Sequence, residues 1–182
     1  RGVCGCGVPE GNCGRGSITR QVWTGISGND ISGLTAAAGF PHHPDGHEER
    51  SSFQGPTNWA DSYGSRMVGY LHAPLTGTYT FWIASDDNGE LWLSSDSSRD
   101  NRTRIAHVPQ WTSSEQWSRF ADQRSADIEL TGGEVYFIEA LHKEGGGGDN
   151  LAVAWQRPGG SQEIIPGTFL SPYDGGGTDD CP

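Results

Sequence analysis

The sequence predicts an all-β protein, built as an antiparallel sandwich or barrel. Three observations carry this expectation. Apolar residues recur with a period of two in several short runs. Turn residues punctuate those runs: Pro74 to Gly77, Asp86 to Gly89, Thr131-Gly132-Gly133 and Gly145 to Gly148. No helical period of useful length is interleaved, which removes the alternating βαβ architectures.

The elements follow in chain order. Ile31–Ala38 carries the one hint of a short helical turn. Met67–His72 is a candidate strand. In Thr78–Ala84, Tyr79, Phe81 and Ile83 alternate with Thr78, Thr80 and Trp82. Leu91–Ser94 and Arg124–Leu130 are further candidates. In Glu134–His142, Val135, Phe137 and Leu141 share one face, and Tyr136, Ile138 and Ala140 the other. In Leu151–Gln156, Leu151, Val153 and Trp155 alternate with Ala152 and Ala154, and Ile164–Leu170 closes the series.

The chain of 182 residues suits one domain. Residues 1–17 read as a Cys- and Gly-rich arm, 18–173 as the β domain, and 174–182 as a Gly-rich tail. Cys4, Cys6, Cys13 and Cys181 crowd the two ends. Their spacing does not match paired zinc ligands, so disulfides and an extracytoplasmic home are expected, with Cys181 bridged to one of the other three. The absence of an initiating Met and of a leader suggests a mature or excised piece. Asn101-Arg102-Thr103 is a glycosylation sequon.

Twelve Lys and Arg stand against 23 Asp and Glu, for a net charge of −11. Such a surface repels phosphates, which argues against nucleic acid and anionic membranes as partners. No apolar run is long enough to insert into a bilayer. Carboxylates suit cations instead, Ca²⁺ above all.

Four motifs could carry chemistry. Ser85-Asp86-Asp87-Asn88-Gly89 sets two carboxylates side by side in a turn. Their repulsion is relieved by a cation, although both can reach one ion only through an unusual backbone such as a cis peptide. The plain alternative is an acidic hairpin turn. Glu144-Gly145-Gly146-Gly147-Gly148-Asp149-Asn150 offers side-chain oxygens and a backbone free to present carbonyls; the alternative is a flexible loop. His42, His43 and His47, with Asp45, could hold a transition metal or lie in a solvent loop. Among the seven Trp, Trp82, Trp92 and Trp155 read as core, whereas Trp59 and Trp111 lie in polar stretches and could form sugar-stacking platforms. No nucleophile elbow or HExxH zinc motif is present, and adjacent aspartates cannot flank a scissile bond, so a catalytic role is not expected.

Taken in order, several segments resemble one family. They include Trp23-Thr24-Gly25-Ile26-Ser27-Gly28, Tyr63-Gly64-Ser65-Arg66-Met67-Val68-Gly69-Tyr70-Leu71 and Gly77-Thr78-Tyr79-Thr80-Phe81. Ser85-Asp86-Asp87, Leu91-Trp92-Leu93, Tyr136 to Glu144, Leu151 to Trp155 and Ile165-Pro166-Gly167 follow. The pattern is similar to the PA-fourteen domain family, named after the anthrax protective antigen, over roughly residues 18–173. The resemblance implies a jelly-roll-like β-sandwich. Its lectin branch implies one Ca²⁺ between a cis-linked Asp86-Asp87 pair and the later loop, with sugar hydroxyls on the ion. Carried over, the metal set is Asp86, Asp87, Asp149, with Glu144, Asn150 and carbonyls near Gly147. The sugar set is Asp86, Asp87 and Asp149, joined by Trp59 and Trp111. The expectation is therefore an extracellular, calcium-dependent glycan-binding module of an adhesin. The rivals are a structural subunit of an extracellular fibre that self-associates, or an accessory module of a glycosidase.

Overall fold

A computed structural model describes residues 14–174. The four cysteines, and with them the disulfide expectation, lie outside the described residues. So does nearly all of both tails.

Eleven strands and one short helix are present among the described residues. They are β1 (Ile18–Thr24), α1 (Ile31–Thr35), β2 (Gly46–Arg50), β3 (Tyr63–His72), β4 (Gly77–Asp86), β5 (Gly89–Ser94) and β6 (Arg102–Val108). Then come β7 (Ile128–Leu130), β8 (Val135–Glu144), β9 (Asn150–Gln156), β10 (Glu163–Ile164) and β11 (Leu170–Pro172). One sheet runs β2-β1-β3-β8-β5-β6, with β11 also on β3. The other runs β10-β9-β4-β7. All pairs are antiparallel. The expected all-β sandwich is what forms.

The period-two faces explain the layering. Tyr79, Phe81 and Ile83 on β4 are fully buried and meet Met67, Leu71, Tyr136, Ile138, Ala140, Val153 and Trp155 in one core between the sheets. A second, smaller cluster lies on the outer face of the larger sheet. There α1 places Leu34 against Trp23 and Leu141, with Phe40 ring-on-ring at 5.0 Å from Trp23. The helical hint at Ile31–Ala38 thus becomes five helical residues that cap an exposed sheet face.

Several expected strands change. Ile164–Leu170 is not continuous: Pro166 and the 3-10 turn Gly167–Phe169 separate β10 from β11. Arg124–Leu130 shortens to β7. β1, β2 and β6 were not expected, because Arg20, Glu48, Glu49, Arg102 and Arg104 break the apolar alternation. Trp155 is core, but Trp82 and Trp92 are only half-buried.

A buried ion network crosses the outer face of the larger sheet. Arg66 Nε donates to Glu139 Oε2 at 2.7 Å, and Arg102 Nε lies 2.8 Å from Glu139 Oε1. Arg66 and Glu139 are almost wholly buried, and Tyr173 stacks over Arg66.

Topology sets up one end of the sandwich. β4 leaves the small sheet and enters β5 of the large sheet through Asp87-Asn88. β8 leaves the large sheet and enters β9 of the small one through residues 145–149. Because β4 pairs with β9 and β5 with β8, these two crossovers lie side by side.

Candidate metal and ligand site

Asp86 ends β4 and pairs in register with Asn150, the first residue of β9. Glu144 ends β8, opposite Tyr63. The Asp86–Asp87 peptide is cis. The turn is held from several sides. Ser85 Oγ donates to Asp87 O at 2.7 Å, Asp87 N to Lys143 O at 3.1 Å and Lys143 N to Asn88 O at 3.0 Å. Asp87 Oδ2 accepts from Gly145 N at 3.0 Å. A side chain on Gly145 would displace the Asn29 side chain and press on Asp87 Oδ2.

Carboxylate oxygens of Asp86, Asp87 and Glu144 lie within 4.8 Å of one another. Glu144 is fully buried, yet neither of its carboxylate oxygens has a hydrogen-bond partner. Asn150 Nδ2 donates to Thr112 O at 2.9 Å, while its buried Oδ1 is unpartnered. Burial, then the neighbouring charges of Asp87 and Asp86, pushes Glu144 up to about 8. Burial and then Asp87 push Asp86 up to about 6. Burial pulls His142 down to about 4. The neutral ring therefore donates Nε2–H to Asp86 O at 2.5 Å and accepts the Ser65 hydroxyl at Nδ1, 3.1 Å away.

Buried acceptors without donors are costly unless something unseen satisfies them. Here the candidate ligand atoms are all oxygens: Glu144 Oε1 and Oε2 and Asn150 Oδ1 have no partner, and the Asp86 and Asp87 carboxylates lie beside Glu144. That set fits a hard divalent cation, and Ca²⁺ in particular. His42, His43 and His47 do not gather into such a group among the described residues.

The remaining expected residues build the walls. The Asp149 carboxylate accepts from Trp59 N at 3.0 Å, Ala60 N at 3.0 Å and the Tyr63 hydroxyl at 3.0 Å. It faces the 56–62 loop. Gly147, at φ +108°, donates its N–H to Asp61 Oδ1 at 3.0 Å. Gly145 O accepts from Ser62 N at 3.0 Å. The glycine loop is thus stitched to the loop carrying Trp59. Trp59 is 45% exposed, with Tyr63 edge-on at 4.8 Å and the buried Arg20 guanidinium 4.7 Å from its ring. Trp111, also 45% exposed, forms an isolated bridge with Asp86.

Sequence reasoning missed a third wall, residues 26–30. The buried Lys143 Nζ donates to Ile26 O at 2.6 Å, Gly28 O at 2.5 Å and Glu144 O at 2.8 Å, tying this loop to β8. Asn88 Nδ2 donates to Asp30 Oδ1 at 3.3 Å. Nothing local marks this contact, since β8 also carries Glu139, His142 and Glu144. Arg119, which lies 3.7 Å over the Trp111 ring, was also missed, and nothing in its local sequence marks it.

Comparison with known proteins agrees with this architecture. The PA14 sugar-binding domain from an RTX adhesin superposes with a TM-score of 0.67 at 14% identity, covering 88% of this chain and 100% of that one. The Epithelial Adhesin 9 A domain from Candida glabrata, solved in complex with Galb1-3GlcNAc, gives 0.65 at 15% identity and covers 96% of each chain. In sequence, the chain is 30% identical over 166 residues to mouse N-acetyl-beta-glucosaminyl-glycoprotein 4-beta-N-acetylgalactosaminyltransferase 1, covering 87% of this chain. It is 31% identical over 85 residues to mouse fibrocystin, covering 43% of this chain. It spans only 16% and 2% of those two proteins. The PA14 domain family matches residues 30–168, well over half of the sequence, and the chain belongs to that family.

Proposed function

We propose that the chain is a non-catalytic, calcium-dependent carbohydrate-binding module of lectin or adhesin type, acting at or outside the cell surface. The observation that carries this is Glu144: a buried carboxylate with two unpartnered oxygens, facing Asp86 and Asp87. Neighbours of the same fold include a domain named as sugar-binding and adhesin domains in complex with saccharides, which supports the ligand class.

Asp86, Asp87 and Glu144 are the proposed carboxylate ligands, completed by Asn150 Oδ1 and a carbonyl near Gly147. A bound Ca²⁺ would offer open coordination positions to two vicinal sugar hydroxyls. Asp149 positions the Trp59 loop through two amides and a phenol. Trp59, backed by Arg20, presents a ring to the apolar face of a saccharide. Single sites of this kind bind weakly, at about millimolar to micromolar, and gain by repetition.

A glycan array read with and without chelator tests the proposal. Binding that is lost in chelator and restored by Ca²⁺ is the expected result; binding indifferent to chelator would overturn it. A second reading, an accessory module within a longer carbohydrate-active protein, is favoured by the 30% identity to a segment of a glycosyltransferase. The two share the site and differ only in what surrounds it.

A further inference from the structure

Trp59 and Trp111 are equally exposed at the rim of the acidic group, but they differ in what covers them. Arg20, beneath Trp59, is buried and paired with Glu48 at 3.1 Å. Arg119, against Trp111, is exposed. Its guanidinium lies 3.7 Å from the Trp111 ring, and Nη1 donates to Trp111 O at 2.6 Å. Trp111 therefore works as a stand for Arg119 and not as an open stacking face.

Among the described residues, Arg20, Arg50, Arg66, Arg102, Arg104, Arg124 and Arg157 each have a carboxylate within ion-pairing distance. Arg15, Arg99 and Arg119 have no such carboxylate among the described residues, and of these three Arg119 is the one stacked on an aromatic ring beside the acidic group. Yet Arg119 is held close to the site: Trp111 bridges to Asp86, and the Arg119 charge acts to lower the Asp86 carboxyl. One of its N–H groups is used, on Trp111 O; no other acceptor for the fork is found among the described residues.

On the carbohydrate-binding reading above, we infer that Arg119 is a specificity-determining residue that reads an anionic group on the ligand. The preferred ligand is an acidic saccharide, carrying a carboxylate or a sulfate ester beside the hydroxyls that reach the ion. A planar guanidinium fixed by stacking is suited to two-pronged recognition of such groups. The local charge permits it. A bound Ca²⁺ and Arg119 would offset the Asp86, Asp87 and Glu144 charges, leaving Asp149 and Asp61 as the further acids that act on this group. The overall charge of −11 is spread over the surface and screened beyond about 8–10 Å at physiological salt. A role limited to balancing charge would need neither the stacking nor the unused donors.

The test is a glycan array carrying neutral saccharides beside their uronate and sulfated counterparts, at fixed ionic strength, with Ca²⁺ and with chelator. Calorimetry then follows on the best matched set. Wild-type protein should prefer the acidic member by roughly tenfold, the scale of a charge-assisted paired contact at an exposed site. Arg119→Ala should bring that ratio to within about twofold. Arg119→Lys, which keeps the charge and loses the fork, should fall between. The uronate and sulfate arms tell which anion is read. No acid preference in wild type, or an undiminished ratio in Arg119→Ala, would overturn the inference while leaving the carbohydrate reading intact. Absence of any Ca²⁺-dependent glycan binding in wild type would overturn that reading itself. A separate Ca²⁺ titration of Arg119→Ala should still show binding; its loss would make Arg119 part of the metal site's scaffold and also overturn the inference.

Discussion

Asp87 and Glu144 come from neighbouring crossovers between the two sheets, yet their carboxylates share one small space. Asp87 Oδ2 has an amide donor, Gly145 N, whereas Glu144 has none for either oxygen. The difference divides their duties. Asp87 shapes the loop as well as supplying charge; Glu144 supplies charge alone. Glu144→Gln should therefore weaken Ca²⁺ binding by more than about tenfold with the fold retained, because ligand charge sets affinity in such sites. Asp87→Ala should lose Ca²⁺ and glycan binding together. Calorimetry on both variants checks this, and wild-type Ca²⁺ affinity in either would mean that the acidic cluster is only a turn.

Stability should respond to pH in opposite senses with and without the ion. Glu144 and Asp86 keep their protons in the folded protein up to about 8 and about 6, but lose them near 4–4.5 once unfolded. Between those limits the folded state holds more protons, so the metal-free protein loses stability as pH rises from about 4.5 to 8. His72, half-buried, and His142, buried, are both pulled down to about 4 and act the other way, removing stability as pH falls from about 6.5 to 4. Excess Ca²⁺ should abolish the alkaline loss and leave the acidic one. Thermal melts across pH 4–9, in chelator and in Ca²⁺, read both limbs, and an alkaline limb that ignores Ca²⁺ would count against the site.

Trp59→Ala should lower glycan affinity by roughly tenfold, the upper range for loss of one aromatic contact, while Ca²⁺ still binds. Asp149→Ala should produce the same phenotype at a distance, because it releases the Trp59 and Ala60 amides. Titrating Ca²⁺ and saccharide separately into each variant distinguishes a platform from a ligand.

Glu139→Ala leaves Arg66 buried without its partner and removes the ion-pair partner of Arg102. The expected cost is about 3–5 kcal/mol, measured by denaturant unfolding. Ca²⁺ affinity of the surviving folded fraction should be unchanged, since this network lies on the outer face of the larger sheet, away from the crossovers.

How much of this was legible in the sequence depended on the residue. Tyr79, Phe81, Ile83 and Trp155 announce a strand because one face must be dry and the pleat alternates. Arg20 hides its strand, and Glu139 hides its burial within a strand that was expected: each is made tolerable by a partner far along the chain, Glu48 and Arg66 respectively, and no local period records that. The same holds at the site. Asp86 and Asp87 are conspicuous as neighbours. Glu144 was one candidate among several in a glycine-rich run. Only the register of β5 on β8 and β4 on β9 lifts it above Asp149, whose carboxylate turns to the Trp59 loop. Asn29 and Lys143 take meaning from a loop meeting a strand more than 100 residues away, a relation with no trace in spacing.

The two ends of the described domain meet on one edge. β11 occupies β3 from Leu71 to Gly69, and β1 takes over from Val68 to Tyr63, with Tyr173 N donating to Thr19 Oγ1 at 3.3 Å where they join. The chain therefore enters and leaves at a single point midway along β3. A load applied through neighbouring segments would run along that strand edge without passing through the crossover end, where the acidic cluster sits. β1 is also held on its other side by β2, so such a load is shared between two strand pairs. For a module strung in series with others, grip on a ligand and strength against pulling are properties of different parts of the fold.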